Sequence, residues 1–444
     1  MVVTKHMNRY SYDEVIHIIE NTRRFGNLTG YEVSKKMLEQ LGNPQRGIPF
    51  VHVAGTNGKG STTAFLCKIL EKAGKKVGMF TSPHLITFEE RIRINGVYIS
   101  KEDVTRLGNQ LLETQFEVSP TMFDYCLAMA VLYFKEQACD IMIMETGIGG
   151  RYDSTNALGV PEIAVITKIG FDHMGILGNT LEEIAAEKAG IIKRGCPVVT
   201  CEQEPSAEEV LRREFCQVND FEEPVNFVRT NFYDVLAMYM PAEEDYRFVR
   251  DIPMKMVGDY QIENAAVATV AAHVLLNKWS KNNLLSERMS QEYIEDIIRA
   301  GIADTVWKGR MEIVNQKPFF MIDGAHNSNG VQALARSLQE LYPNEKFHFI
   351  MGVMADKDYE EMIDVLLPLA IDFITVTPES NRALQSKDLA ACIERKGIQA
   401  RYVDDMESVI RPLLTASPES SKTIAFGSLY FIGAIEAMLE KNGR

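Results

Sequence analysis

The sequence predicts an α/β protein made of two doubly wound domains. Three observations carry this. Short apolar runs that read as buried strands alternate with longer runs whose apolar residues recur at helical spacing. Such alternation builds a mostly parallel sheet with helices on its faces. One strand-to-helix junction, His52-Val-Ala-Gly-Thr-Asn-Gly-Lys-Gly-Ser-Thr62, is glycine-rich and carries lysine and hydroxyl residues. The pattern breaks around 300–310 and then resumes, so the expected domains are 1–298 and 299–444. The first is the larger, with a small antiparallel sheet added.

In chain order, residues 11–41 read as amphipathic helices, with Ser11 and Glu14 forming a capping box. Gly26-Asn-Leu-Thr-Gly30 is the loop between them. Ile48–Val53 is a buried strand and Thr63–Lys72 a helix; Lys76–Phe80 is a second strand. Glu90–Ile99 alternates and holds Asn95-Gly96, a hairpin signal. Residues 101–116 and 121–137 read as helices, 140–145 as a strand ending on a carboxylate, 163–167 as a strand. A helix over 180–193 and a strand over 196–200 follow. Residues 202–224 read as acidic and irregular, and 226–257 as a small antiparallel sheet. Tyr260–Leu276 is an alanine-rich helix. The second alternation predicts strands at 319–323, 347–353, 371–377, 399–403 and 422–426. Its helices are 328–341, 358–367, 386–395, 405–415 and 429–440.

The 444 residues carry a formal net charge of -14, which argues against nucleic acid or an anionic membrane as the main partner. Seven cysteines without a CxxC pair suggest a reducing compartment and no disulfide framework. No stretch is apolar and long enough to span a membrane, and the N-terminus lacks the apolar core of a signal peptide. A cytoplasmic enzyme is the expectation.

The junction at 54–62 suits a phosphate. Glycines let backbone N–H groups approach oxygens, and a helix start adds positive potential. Lys59 would face the outer phosphates, and Ser61 or Thr62 could offer a hydroxyl to Mg²⁺. The simpler reading is a turn capped by Ser61. Glu145, ending a buried strand, resembles the acidic partner that holds Mg²⁺ opposite such a loop. Lys188 lies in a mostly apolar helix, where a lysine must find an anion or lose its charge. Gln261 and Asn264 share a helix face.

The common nucleotide loop puts Gly directly before Lys and a hydroxyl directly after it; here Gly60 follows Lys59. Gly55-Thr-Asn-Gly-Lys-Gly-Ser61 resembles the loop of the Mur ligase superfamily, in its folylpolyglutamate synthase and dihydrofolate synthase branch. Thr81-Ser-Pro-His-Leu85 with Phe88–Gly96, Glu145–Asn156, Asp172-His173, Trp307–Glu312, Asp323–Asn327, Gly352–Asp358 and Phe426–Tyr430 are similar to further family motifs, in family order. Departures are Lys308 and Asn381, where the family has Pro, and Asp124, where it tends to have Glu.

The resemblance implies an ATP-dependent amide ligase with its active site in the cleft between the two domains. ATP would activate the terminal carboxylate of tetrahydrofolate or dihydropteroate as an acyl phosphate, which the amine of L-glutamate then attacks. It implies ATP contacts from Gly55, Thr56, Asn57, Gly58, Lys59, Gly60, Ser61, Thr62, Asn264, Arg310 and Asp323. Arg310 suits phosphate because its planar fork binds two oxygens. Lys59, Lys188 and His326 are the implied catalytic residues, with Lys188 carbamylated. Ser82, Glu145 and His173 are the implied Mg²⁺ ligands, although Mg²⁺ prefers oxygen over the histidine nitrogen. His84, Arg151, Asp153 and Ser428 are implied on the folate or glutamate side, and a monomer is the expected state. Two other readings compete. One is a Mur-type ligase acting on a cell-wall nucleotide precursor or a cyanophycin-like polymer. The other is a regulatory P-loop protein without ligase activity.

Overall fold

Two helices open the chain, each started by a reciprocal capping box that satisfies first-turn N–H groups. They are α1 (Tyr12–Glu20), capped by Ser11 with Glu14, and α2 (Gly30–Gln40), capped by Thr29 with Glu32. The computed structural model describes residues 9–22, 29–221, 228–229, 236–238, 252–281, 290–415 and 422–441. The loop read at 26–30 lies mostly outside them, as does most of the sheet read at 226–257.

Mostly apolar segments then form the central, buried strands. β1 (Phe50–Ala54) leads into α3 (Lys59–Lys72), and β2 (Val77–Phe80) into a hairpin of β3 (Ile92–Ile94) and β4 (Val97–Tyr98). After α4 (Lys101–Glu113) and α5 (Met122–Glu136) come β5 (Ile141–Glu145), β6 (Ile163–Ile166), α6 (Met174–Leu177), α7 (Leu181–Ala189) and β7 (Val198–Thr200). Next are α8 (Pro205–Asn219), β8 (Val228–Arg229), β9 (Leu236–Met238), α9 (Asp259–Lys281) and α10 (Gln291–Asp304). The strands form one sheet in the order β4-β3-β2-β5-β1-β6-β7-β9-β8. Its centre, β2-β5-β1-β6-β7, is parallel, and antiparallel strands extend both edges.

Two segments correct the sequence reading. Residues 205–219 are a helix and not irregular chain. Pro205 starts it, and Ala207, Val210, Leu211 and Phe215 bury one stripe, which outweighs the acidic composition. The stretch before 305, where the sequence reading places no helix, holds α10. Ser290 caps it, and Ile294, Ile297, Ile298 and Ile302 recur at helical spacing on its buried side.

The second alternation follows the expected order. It comprises β10 (Glu312–Gln316), β11 (Phe319–Ile322), α11 (Ser328–Leu341), β12 (Phe347–Met351), α12 (Tyr359–Leu366), β13 (Ala370–Thr375) and α13 (Ser386–Arg395). β14 (Ala400–Tyr402), α14 (Glu407–Thr415), β15 (Thr423–Phe426) and α15 (Leu429–Lys441) complete it. The sheet order is β10-β11-β15-β12-β13-β14, parallel except for β10. Apolar clusters cover both faces, one built on Phe347, Phe349 and Phe373 and the other on Phe320, Ile350 and Phe431.

The chain divides into two units, 1–253 with 263–305 and 254–262 with 306–444. The first turn of α9 therefore groups with the second unit. Among the described residues, all seven cysteines are free and no helix is long and apolar enough to cross a membrane.

Candidate active site

In the first unit the glycine loop joins the carboxyl end of β1 to α3. The helix begins at Lys59, four residues before the start expected from the sequence, because Gly58 takes the left-handed conformation (φ 85°) at its N-cap. Lys59, Gly60, Ser61 and Thr62 thus form the first helical turn. The leading N–H groups of a helix have no intrahelical acceptors, so this turn presents donors and positive potential to an anion.

The neighbouring strand end holds the loop. Thr56 and Asn57 both donate their N–H groups to the Lys168 carbonyl, at 2.9 and 3.3 Å. Thr56 Oγ1 donates to Gly170 O and accepts from Gly170 N–H, and Thr167 Oγ1 donates to Asn57 O at 2.7 Å. With those N–H groups engaged, the donors a phosphate could use begin at Gly58. A side chain at Gly55 would put its Cβ 1.8 Å from Thr167 Oγ1, and one at Gly58 would sit 2.2 Å from Asn264 Oδ1. Asn264 is buried against the loop itself, and Gln261 is fully buried.

Two lysines converge here. Lys59 Nζ donates to Gly55 O at 3.1 Å and to Thr56 O at 3.2 Å. Lys188, buried on α7, donates to the same Gly55 carbonyl at 2.8 Å. Burial and, next, the Lys59 charge push the Lys188 ammonium down to about 7. Near neutral pH this side chain therefore exists partly as a nucleophilic free amine.

One strand over, Glu145 ends β5 as a buried carboxylate and accepts the Ser82 N–H at 3.3 Å. Parallel pairing sets Phe80 beside Met144 and Val53 beside Glu145, so Ser82, Glu145 and the glycine loop share one sheet edge. A carboxylate and a hydroxyl suit a hard cation such as Mg²⁺. His173 lies on the loop after β6, in the left-handed conformation, with its side chain exposed and Nε2 4.0 Å from Asp172 Oδ1. Among the described residues no three His, Cys, Asp or Glu side chains are grouped for a metal. The expected set contains two of those types, with Ser82.

Three residues expected on the folate side have protein partners. Arg151 donates to Glu214 Oε1 at 2.9 Å and to Ala186 O at 3.1 Å, which ties its loop to α7 and α8. Asp153 is buried; Oδ2 accepts the N–H groups of Gly147 and Ile148, and Oδ1 accepts from the N–H and the hydroxyl of Thr155. Its charge shapes the Gly147–Gly150 turn, although burial still pushes its carboxyl upward. His84 accepts from Arg91 Nε at 2.9 Å and is pushed down to about 4 by burial, so its ring is neutral. Glu90 pins the same loop by accepting the N–H groups of Leu85, Ile86 and Thr87.

The second unit gathers its expected site residues at the carboxyl ends of β11 and β15. Asp323 is buried; Oδ2 accepts from Met311 N–H (2.8 Å) and Tyr260 Oη (3.0 Å), and Oδ1 from Ala325 N–H (2.8 Å). Burial raises its carboxyl above the ordinary range, against the pull of Arg310. Arg310 lies on Gly324, where a Cβ would be 1.8 Å from Nη1. His326 Nδ1 donates to Gly324 O at 2.8 Å, which fixes the orientation of the ring. Gly427 donates to Ala325 O, and buried Ser428 follows it at the start of α15. Thr167, Lys168 and Tyr260 are functional neighbours that the sequence does not single out. The strand end after Ile163–Ile166 is the only available sign of the first two.

A strand, a glycine loop and a helix start beside a strand-end carboxylate define a phosphate-handling α/β enzyme. Two family descriptions match this chain: the Mur ligase middle domain over residues 53–272 and the Mur ligase glutamate ligase domain over 309–428. The class is therefore that of the Mur ligases. The chain is 37% identical to a dihydrofolate synthase/folylpolyglutamate synthase of Bacillus subtilis, covering 97% of this chain and 99% of the relative. It is 31% identical to a folylpolyglutamate synthase of Lacticaseibacillus casei, over 97% and 99%. The fold is similar to a Mycobacterium tuberculosis folylpolyglutamate synthase complexed with ADP (TM-score 0.79, 26% identity, 98% of each chain). It is also similar to a folylpolyglutamate synthase complex with AMPPCP and folate (TM-score 0.77, 29% identity, 97% and 100%). The chain belongs to the folylpolyglutamate synthase and dihydrofolate synthase family of Mur ligases.

Proposed function

We propose that this chain is a folylpolyglutamate synthase that adds L-glutamate to the terminal carboxylate of tetrahydrofolate at the cost of ATP, and that it also joins glutamate to dihydropteroate. The observation that carries this is the nearly end-to-end match to a Bacillus subtilis relative named for both activities, with the glycine loop of the first unit in place.

A carboxylate is a poor electrophile. One of its oxygens attacks the γ-phosphorus of ATP, ADP leaves, and an acyl phosphate forms. The glutamate amine then attacks the acyl carbon, the tetrahedral intermediate expels phosphate, and the nitrogen loses a proton. The Gly58 N-cap and the first turn of α3, Lys59 to Thr62, hold the phosphates, and Lys59 neutralises charge as it moves to the leaving oxygens. Arg310 and Asp323 serve the ATP side, and His326, oriented through Nδ1 by the Gly324 carbonyl, takes up the amine proton. Ser82 and Glu145, with His173, would hold Mg²⁺, which supplies charge neutralisation at the phosphate oxygens. Ser428 belongs to the glutamate side.

Lys188 is carbamylated in the working enzyme: its neutral amine adds to CO₂ and releases a proton. The lowered ammonium pKa of about 7 favours this step. Carbon-13 bicarbonate should give a carbamate signal that Lys188→Met lacks; a signal that persists in the variant rules out this site. The enzyme acts as a cytoplasmic monomer, which sedimentation velocity and cell fractionation test.

The deciding assay measures ADP release with ATP, glutamate and either tetrahydrofolate or dihydropteroate. Release should require glutamate and an acid, with both acids accepted. Turnover independent of both co-substrates overturns the ligase reading, and turnover with one acid removes the other from the proposal.

A further inference from the structure

Arg310 sits in a short turn whose shape is unusual. Met311, the next residue, is buried and takes a left-handed backbone (φ 43°), which costs a side-chain-bearing residue energy unless its surroundings enforce it. Gly309, the residue before, is also left-handed (φ 68°). The bonds around the turn show what enforces it. Gly309 donates to Glu312 Oε2 at 2.8 Å, and Gly309 O accepts from Gly324 N–H at 2.8 Å and from Arg310 Nη1 at 3.0 Å. Met311 N–H donates to Asp323 Oδ2.

That same carboxylate oxygen is held from its other side by Tyr260 Oη. The segment bearing Tyr260 also packs on the turn and is bonded to α11. A Cβ on Gly258 would lie 2.8 Å from Met311 Sδ, and Asp259 bonds Ser337 through its N–H (3.3 Å) and its carboxylate. Tyr260 therefore touches neither Arg310 nor its expected phosphate through these bonds. It touches the oxygen that fixes the strained residue beside Arg310.

We propose that Tyr260 is a positioning residue for Arg310: its hydroxyl fixes Asp323, Asp323 fixes the left-handed Met311 turn, and the turn aims the guanidinium at ATP. This rests on the reading of Arg310 as a phosphate contact. A hydroxyl that merely satisfied a buried carboxylate would contribute to stability and leave ATP binding untouched. The two roles therefore separate in the kinetics.

The test compares Tyr260→Phe, Arg310→Gln and the double variant in the full-length enzyme. ADP release is measured with tetrahydrofolate and glutamate saturating, and thermal melting is recorded for each. Tyr260→Phe keeps the ring and removes one hydrogen bond, so its expected effect is a rise of about 3- to 10-fold in the KM for ATP, with kcat within about twofold of the parent. Arg310→Gln should raise the same KM further. The double variant should match Arg310→Gln within about twofold, because a positioning residue has nothing left to position. Tyr260→Phe with a lowered melting temperature and an unchanged KM, beside an impaired Arg310→Gln, overturns the proposal while the role of Arg310 stands. Fully additive losses in the double variant overturn it as well. An Arg310→Gln enzyme with the parent KM overturns the phosphate role of Arg310, and the proposal with it.

Discussion

At the scale of single residues, Lys188 shows how a fold sets chemistry that the residue type alone does not. Its only described hydrogen-bond acceptor is a neutral carbonyl, Gly55 O, and the nearby Lys59 charge opposes its own. The ammonium pKa is therefore about 7 in the folded chain, against an ordinary 10.5. Below pH 7 the group is charged in both folded and unfolded states, so the cost of burying the charge is present in full. As pH rises from about 7 towards 10.5, the folded amine gives up its proton first and the cost falls. Lys188→Met should accordingly be more stable at pH 6 than the parent freed of carbamate, by up to about 5 kcal/mol, since each tenfold loss of proton affinity is worth roughly 1.4 kcal/mol. Urea denaturation across pH 6 to 10 should show that gap closing; a gap independent of pH contradicts the account. The sequence marks Lys188 as a cation in an apolar helix. It does not show Gly55 O as its partner, because the two lie far apart along the chain. The same holds for Arg151, which looks available for substrate until the fold sets Glu214 against it.

At the scale of elements, caps and periodicity are the legible signals. α11 and α13 occupy the expected residues because Leu, Val and Ile recur on one face of each. Composition misleads where it is set above periodicity. Of the acidic residues of α8 only Glu209 is exposed, while Glu208 and Glu214 are half-buried and pair with Arg212 and Arg151, and α10 occupies a stretch where a domain break is expected. α10 matters for the site, since it packs on the helix that starts at the glycine loop. Gly301 permits that approach: a Cβ there would lie 2.6 Å from Ile69 Cα in α3. Backbone cannot yield as a flexible side chain can, so Gly301→Ala should force the helices apart and destabilise by about 1–3 kcal/mol. The shift of a guanidinium chloride midpoint measures this, and an unchanged midpoint would show that the pair is loosely packed.

At the scale of the whole molecule, nucleotide binding should appear as stability. A ligand held only by the folded state at 100 times its Kd adds about 2.7 kcal/mol. ADP with Mg²⁺ should therefore raise the melting temperature of the parent. Gly58→Ala should abolish the response, because a Cβ there meets Asn264 Oδ1 at 2.2 Å and the residue must hold φ 85°. A normal ADP response in Gly58→Ala would remove the loop from the binding site. The acidic net charge of -14 makes such local positive groups necessary. In the first unit they are the leading turn of α3 and Lys59.

The amino-acid sequence by itself determined the two α/β alternations, the glycine loop, and the strand-end positions of Ser82, Glu145 and Asp323. Each depends on hydrophobic spacing or on residues adjacent in the chain, and local physics is written locally. The tertiary structure decided which groups those residues face. Thr167 and Lys168 hold the loop, Asn264 closes on Gly58, and Tyr260 meets Asp323. These contacts join segments from about 60 to about 200 residues apart, and a periodic pattern holds no record of distances on that scale. Only packing the strands in the order β2-β5-β1-β6 and β11-β15-β12 brings their ends, and the chemistry at those ends, onto common edges.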